Sequence, residues 1–154
     1  MELTLVLDHH CNLRCTYCYA GDKFSRRMSE ETMRRAIDLA FDKRPPHLDL
    51  GFFGGEPTLH PDLILAAIDY AEAKAKHGDG PVPALRYILN TNATLLSHAR
   101  CAGVLAALGR RRSTAFVSLD GAKEAHDRHR VDAAGRGTFD QVIAGIEALR
   151  AAGV

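Results

Sequence analysis

Four times along its 154 residues the chain passes from a short β-like run into an amphipathic helical stretch. That alternation restricts it to a parallel sheet with helices packed against it. Leu3 to Leu7, Leu48 to Phe53, Leu85 to Leu89 and Ala115 to Leu119 read as the strands. Ser29 is a good N-cap for the first helix, and Glu30 and Glu31 fall in the first turn, where the helix dipole favours acids. Met33, Ala36, Ile37, Ala40 and Phe41 share one face of that helix, and Pro45-Pro46 stops it. Pro61 suits the first position of a second helix that carries Ile64, Ala67, Ile68 and Ala71 inward. The Gly- and Pro-rich stretch from His77 to Pro83 reads as a loop. Ser97 is expected to cap a third helix ending at Gly109. Thr138 and Gln141 have the spacing of a capping box for a fourth helix, with Phe139, Val142, Ile143 and Ile146 as its buried stripe and Gly153 at its end.

Right-handed crossovers leave two architectures, an open doubly wound sheet or a barrel. The unusual residues separate them. Cys11 follows the first strand, Gly54-Gly55-Glu56-Pro57 the second and Asn90-Thr91-Asn92 the third, while Ser118 and Asp120 close the fourth. Carboxyl ends of strands converge on one mouth in a β/α barrel, whereas an open sheet gathers its ligand at a single switch point. The expectation is an α/β fold, a partial (β/α) barrel of about four strand–helix units forming one domain over residues 1–154.

Twenty Lys and Arg against nineteen Asp and Glu leave a formal charge of +1, which gives no support to nucleic acid or an anionic membrane as partner. No apolar stretch approaches bilayer length, and Met1-Glu2-Leu3-Thr4 lacks the basic region of a secretory signal, so the default expectation is a cytoplasmic protein.

Three of the four cysteines lie within eight residues, in Cys11-Asn12-Leu13-Arg14-Cys15-Thr16-Tyr17-Cys18. Such crowding cannot build a disulfide framework and points to metal ligation or redox chemistry. Three thiolates on one tight loop can hold three irons of a cubane and leave the fourth iron free for a substrate or cofactor. A zinc site completed by His9 or His10 is the alternative, weakened by the lack of a second Cys or His pair at finger-like spacing. Cys101 shares a helical face with Val104, Leu105 and Leu108 and reads as a core residue, and Tyr17 as a packing residue beside the loop. Gly54 and Gly55 let backbone approach a ligand closely, and Pro57 biases Glu56 toward an extended conformation that would project its carboxylate into the mouth.

The C-x3-C-x2-C loop resembles the signature of the radical S-adenosylmethionine (SAM) superfamily. Ser118-Leu119-Asp120-Gly121, His126-Asp127, Arg130 and Gly137-Thr138-Phe139 are similar to its sulfatase-maturating and ribosomal-peptide maturase (SPASM-type) group. The resemblance implies an enzyme in which Cys11, Cys15 and Cys18 hold a [4Fe–4S] cluster and SAM chelates the open iron. Reductive cleavage of SAM then gives a 5′-deoxyadenosyl radical that abstracts a substrate hydrogen. It further implies a peptide or protein substrate and a reductant protein such as a flavodoxin or ferredoxin. By the same resemblance Gly54, Gly55 and Glu56 contact the SAM amino group, and Ser118 and Arg130 help hold its carboxylate. Asn92 either bonds the ribose or substrate or caps a turn, and Arg130 has a competing role as an ion-pair partner of Asp127 or Asp132. Ala93 stands where the family's TNGT-like segment has Gly, which argues against a positive φ there. His126 reads as a packing or capping residue. The family core has six strand–helix units, so the chain is expected to be a core truncated on its C-terminal side, with its fourth strand an uncovered edge and a marginal fold in isolation. A cluster-binding remnant without turnover is the competing reading.

Overall fold

The computed structural model describes residues 1–78 and 80–154; Asp79, inside the expected His77–Pro83 loop, lies outside the described residues. Four parallel strands, β1 (Glu2–Val6), β2 (His47–Phe53), β3 (Ala84–Thr91) and β4 (Ser113–Val117), form one sheet in the order β1-β2-β3-β4. Sequential order is the signature of a barrel wall, because a doubly wound sheet reverses direction partway and creates a switch point. The expected architecture is the one observed.

Five α-helices connect and flank the strands: α1 (Glu30–Asp42), α2 (Pro61–His77), α3 (Ala102–Gly109), α4 (Lys123–His129) and α5 (Phe139–Ala152). Ser29 caps α1 as expected, its hydroxyl accepting the Thr32 N–H at 3.1 Å. Strand periodicity sends Leu5, Leu7, Leu50, Phe52, Tyr87 and Leu89 to one face of the sheet. There they are buried against Met33 and Ile37 of α1, Ile64 and Ile68 of α2, Val104 and Leu108 of α3, and Val142 and Leu149 of α5. Each fully buried side chain of this size stabilises the fold by about 1.5–3 kcal/mol, which fixes the register and hence the height at which every strand ends. Cys101 is wholly buried in this core, as expected. No helix among the described residues is long and apolar enough to cross a membrane.

Several local expectations fail for identifiable reasons. Ser97 caps nothing: a 3₁₀ turn over Ala99–Cys101 precedes α3, with the extended backbone of His98 at its start. The Thr138–Gln141 capping box does not form, because the Thr138 hydroxyl turns to the Arg130 carbonyl at 2.8 Å; Asp127 instead caps the helix start by accepting the Phe139 N–H at 2.8 Å. Helix α4 goes unseen in the sequence because it is almost wholly polar, with only His126 buried. Ala93 adopts the positive φ that its Cβ argued against, at 61°, and is fully buried. The Thr91 hydroxyl accepts its N–H at 2.9 Å and holds it there. β4 ends two residues earlier than expected, so Ser118 follows the strand, while β3 runs on through Asn90 and Thr91.

Candidate functional site

The cluster of cysteines sits on the loop leaving β1, and three sets of bonds hold that loop. Asp8, 2% exposed, is the hub. One carboxylate oxygen accepts the N–H groups of His10 (3.0 Å) and Arg26 (2.7 Å); the other accepts from His60 Nε2 (2.8 Å) and the Ser25 hydroxyl (3.4 Å). Burial alone would raise this carboxyl, but the two amides and His60 outweigh it and lower its pKa to about 2. On the far side, the N–H groups of Arg14 and Thr16 donate to the carbonyls of Val131 and His129 at 2.7 and 3.0 Å, tying the loop to the segment after α4. The Arg14 guanidinium closes the turn from inside by donating to the Cys11 and Leu13 carbonyls at 2.7 and 2.8 Å.

The third set comes from the double glycine after β2. A Cβ on Gly54 would stand 2.3 Å from the Asp8 carbonyl oxygen, and one on Gly55 2.2 Å from that of His10. Only glycine lets the two loops meet, and the meeting is bonded: Gly55 N–H donates to the Asp8 carbonyl at 2.9 Å and Glu56 N–H to that of His10 at 3.1 Å. The absent side chains thus make room for the cysteine loop. Both glycines nevertheless line the cavity that forms here.

That cavity, about 280 Å3, is lined by Cys11, Cys15 and Cys18 from the first loop, Gly54 and Gly55 from the second, Asn92 from the third, and Ser118 and Arg130 beyond β4. All four thiols of the chain are free of disulfides. Desolvation raises the thiol pKa at Cys11 and Cys15. At Cys18 burial pulls the same way, but the Lys23 ammonium, 2.6 Å from the sulfur, prevails and lowers it. Among the described residues no three His, Cys, Asp or Glu side chains stand close enough to hold one metal ion.

Glu56 is the expected site residue that the structure turns away. Its carboxylate is 1% exposed, does not line the cavity, and is consumed by four donors: Thr58 N–H (3.0 Å), the Thr58 hydroxyl (2.6 Å), the Thr91 hydroxyl (2.8 Å) and Asn92 N–H (2.7 Å). Burial raises its pKa in spite of those bonds. It latches the end of β2 to the end of β3.

Asn92 takes the turn-capping role considered for it. Its side-chain oxygen accepts the Thr94 N–H (3.0 Å) and hydroxyl (2.7 Å), a turn cap, while its amide donates to Asn12 at 3.0 Å and points at Cys11 Sγ, 3.7 Å away. Arg130 pairs with neither Asp127 nor Asp132; its Nε donates to Asp120 at 2.9 Å, and its guanidinium lies 5.4 Å from the centre of the Tyr17 ring. Tyr17 donates its hydroxyl to the other Asp120 oxygen, so burial and that carboxylate push its pKa up to about 12. Tyr17, expected only to pack, and Asp120, expected only to close the fourth strand, together hold Arg130, while Lys23 carries no motif that marks it in the sequence. His126 is buried, with one ring nitrogen 3.4 Å from the Asp120 N–H and the other 3.2 Å from the Thr138 hydroxyl, the packing role expected.

Comparison with known proteins follows the same lines. The family model of the radical SAM superfamily matches residues 6–154. A cysteine-type anaerobic sulfatase-maturating enzyme of Clostridium novyi is 28% identical over 148 residues, covering 91% of this chain and 37% of the relative. The Fe-coproporphyrin III synthase of Methanosarcina barkeri is 34% identical over 152 residues, covering 96% of this chain and 33% of the relative. The structure of native anSMEcpe with bound AdoMet and a Cp18Cys peptide superposes with a TM-score of 0.84 at 25% identity, over 99% of this chain and 40% of that one. The chain therefore spans about a third of the length of the curated relatives it matches.

Proposed function

The chain belongs to the radical SAM superfamily, and from that premise we propose that Cys11, Cys15 and Cys18 hold a [4Fe–4S] cluster at whose open iron SAM binds within the cavity. The observation that carries the proposal is the convergence of three free thiols with the ends of all four strands on one cavity. The donor set fits: thiolates are the ligands of such clusters, and three of them leave one corner for another ligand. Bound together, the two cofactors supply one-electron reductive cleavage and hydrogen abstraction, which make the chain the core of an enzyme acting on a peptide or protein. The peptide in the anSMEcpe complex supports that substrate class, and the tetrapyrrole named in the Methanosarcina relative favours a second. We read residues 1–154 as one radical SAM core domain, fed by a reductant protein of the flavodoxin or ferredoxin class.

The chain's own residues orient and shield. Cys11, Cys15 and Cys18 present their sulfurs from a loop pinned by Asp8, Arg14 and the 129–131 backbone. Gly54 and Gly55 offer main-chain groups at the cavity wall, where an ammonium group would find carbonyl acceptors. Ser118 supplies a hydroxyl, and Arg130, its Nε held by Asp120, keeps its other donors for a carboxylate. Phe53 and Phe116 add apolar surface to the remaining wall. Anaerobic reconstitution with iron and sulfide, then reduction in the presence of SAM, is expected to release 5′-deoxyadenosine. Cluster uptake without that product would support the remnant reading instead.

A further inference from the structure

Lys23 has no part in the reading above, yet its ammonium nitrogen lies 2.6 Å from Cys18 Sγ and the residue lines the cavity. It has no carboxylate partner within ion-pair distance among the described residues, although the other cation at the cavity, Arg130, is matched by Asp120. Its charge is therefore spent on sulfur. Few other charges act on the sulfurs: buried Glu56 opposes Lys23 at Cys11 from behind the wall, and Arg130 reinforces it at Cys15 and Cys18 from across the cavity.

A cluster that gains one electron from an external donor gains one negative charge, and a fixed cation beside a ligating sulfur stabilises the reduced form more than the oxidised one. Hydrogen bonds to the sulfurs and net charge are among the properties that set the potential of an iron–sulfur centre. We infer that Lys23 is a positioning residue for electron entry: its ammonium bond to Cys18 raises the reduction potential of the cluster held by the three cysteines. The inference rests on the cluster assignment above.

The half-buried setting of Lys23 moderates the effect, and we expect about a tenfold change in the reduction equilibrium, which for one electron is about 59 mV. The test is anaerobic potentiometry with dithionite and mediators on the full chain and on Lys23→Met and Lys23→Arg, with iron content measured in each. The expected result is a midpoint lowered by about that amount in Lys23→Met, close to the native value in Lys23→Arg, with equal iron in all three. An unmoved Lys23→Met midpoint overturns the inference alone, as does a Lys23→Arg midpoint as low as that of Lys23→Met. Loss of iron in Lys23→Met also overturns it, by making the residue an assembly group. A native chain that takes up no cluster overturns the cluster assignment, and this inference with it.

Discussion

Replacing Asp8 with Asn probes the hub on which the cysteine loop hangs. The native carboxylate accepts from two backbone amides, a hydroxyl and His60 in a site almost closed to water. A carboxyl whose pKa falls from 3.8 unfolded to about 2 folded contributes about 2.4 kcal/mol at neutral pH. Because the folded pKa is the lower one, that stability is fully present above pH 3.8 or so and is lost as the pH falls toward 2. The native chain should therefore exceed Asp8→Asn by about 2.4 kcal/mol at pH 7, by about 1.3 kcal/mol at pH 3, and by only a few tenths at pH 2. Urea denaturation followed by circular dichroism across that range reads the difference directly. A gap that stays constant from pH 7 to pH 3, or no gap at pH 7, would refute the hub as described.

Three further outcomes follow from the same geometry. Gly55→Ala places a methyl group against the His10 carbonyl; thermal unfolding should show a loss of about 2–4 kcal/mol, and a native-like transition would mean the loops do not meet so closely. Glu56→Ala strands four donors and should destabilise the fold by at least 3 kcal/mol or so, whereas unchanged stability with weaker SAM binding in calorimetry would return the carboxylate to the cavity. Asp120→Asn frees Arg130 and Tyr17 and should weaken SAM binding about tenfold with cluster content unchanged; equal affinity would show that Arg130 needs no aiming.

Periodicity carried the four strands and the four amphipathic helices, because Leu5, Phe52 and Tyr87 obey the alternation that any half-buried strand imposes. The cysteine spacing carried the site's location in the same way, since three thiols on one loop cannot be far apart. What stayed hidden depended on partners distant in sequence. Glu56 turns inward because Thr91 and Asn92 wait there, and the box at Thr138 fails because its hydroxyl is drawn to the Arg130 carbonyl. Lys23 follows Cys18 by five residues with no periodic pattern, so only a folded loop reveals their contact. Ala93 was misjudged because intrinsic backbone preference is weak against a buried hydrogen bond.

The most direct test of the account is to reconstitute the chain and its Cys11→Ala, Cys15→Ala, Cys18→Ala and Cys101→Ala variants anaerobically, then measure iron, sulfide and the electron paramagnetic resonance of the reduced proteins. The account predicts one cubane per chain in the native protein and in Cys101→Ala, whose sulfur is buried in the core, and no intact cubane in the other three. Cluster loss in Cys101→Ala equal to theirs, or an intact cluster in any one of the three loop variants, would contradict it.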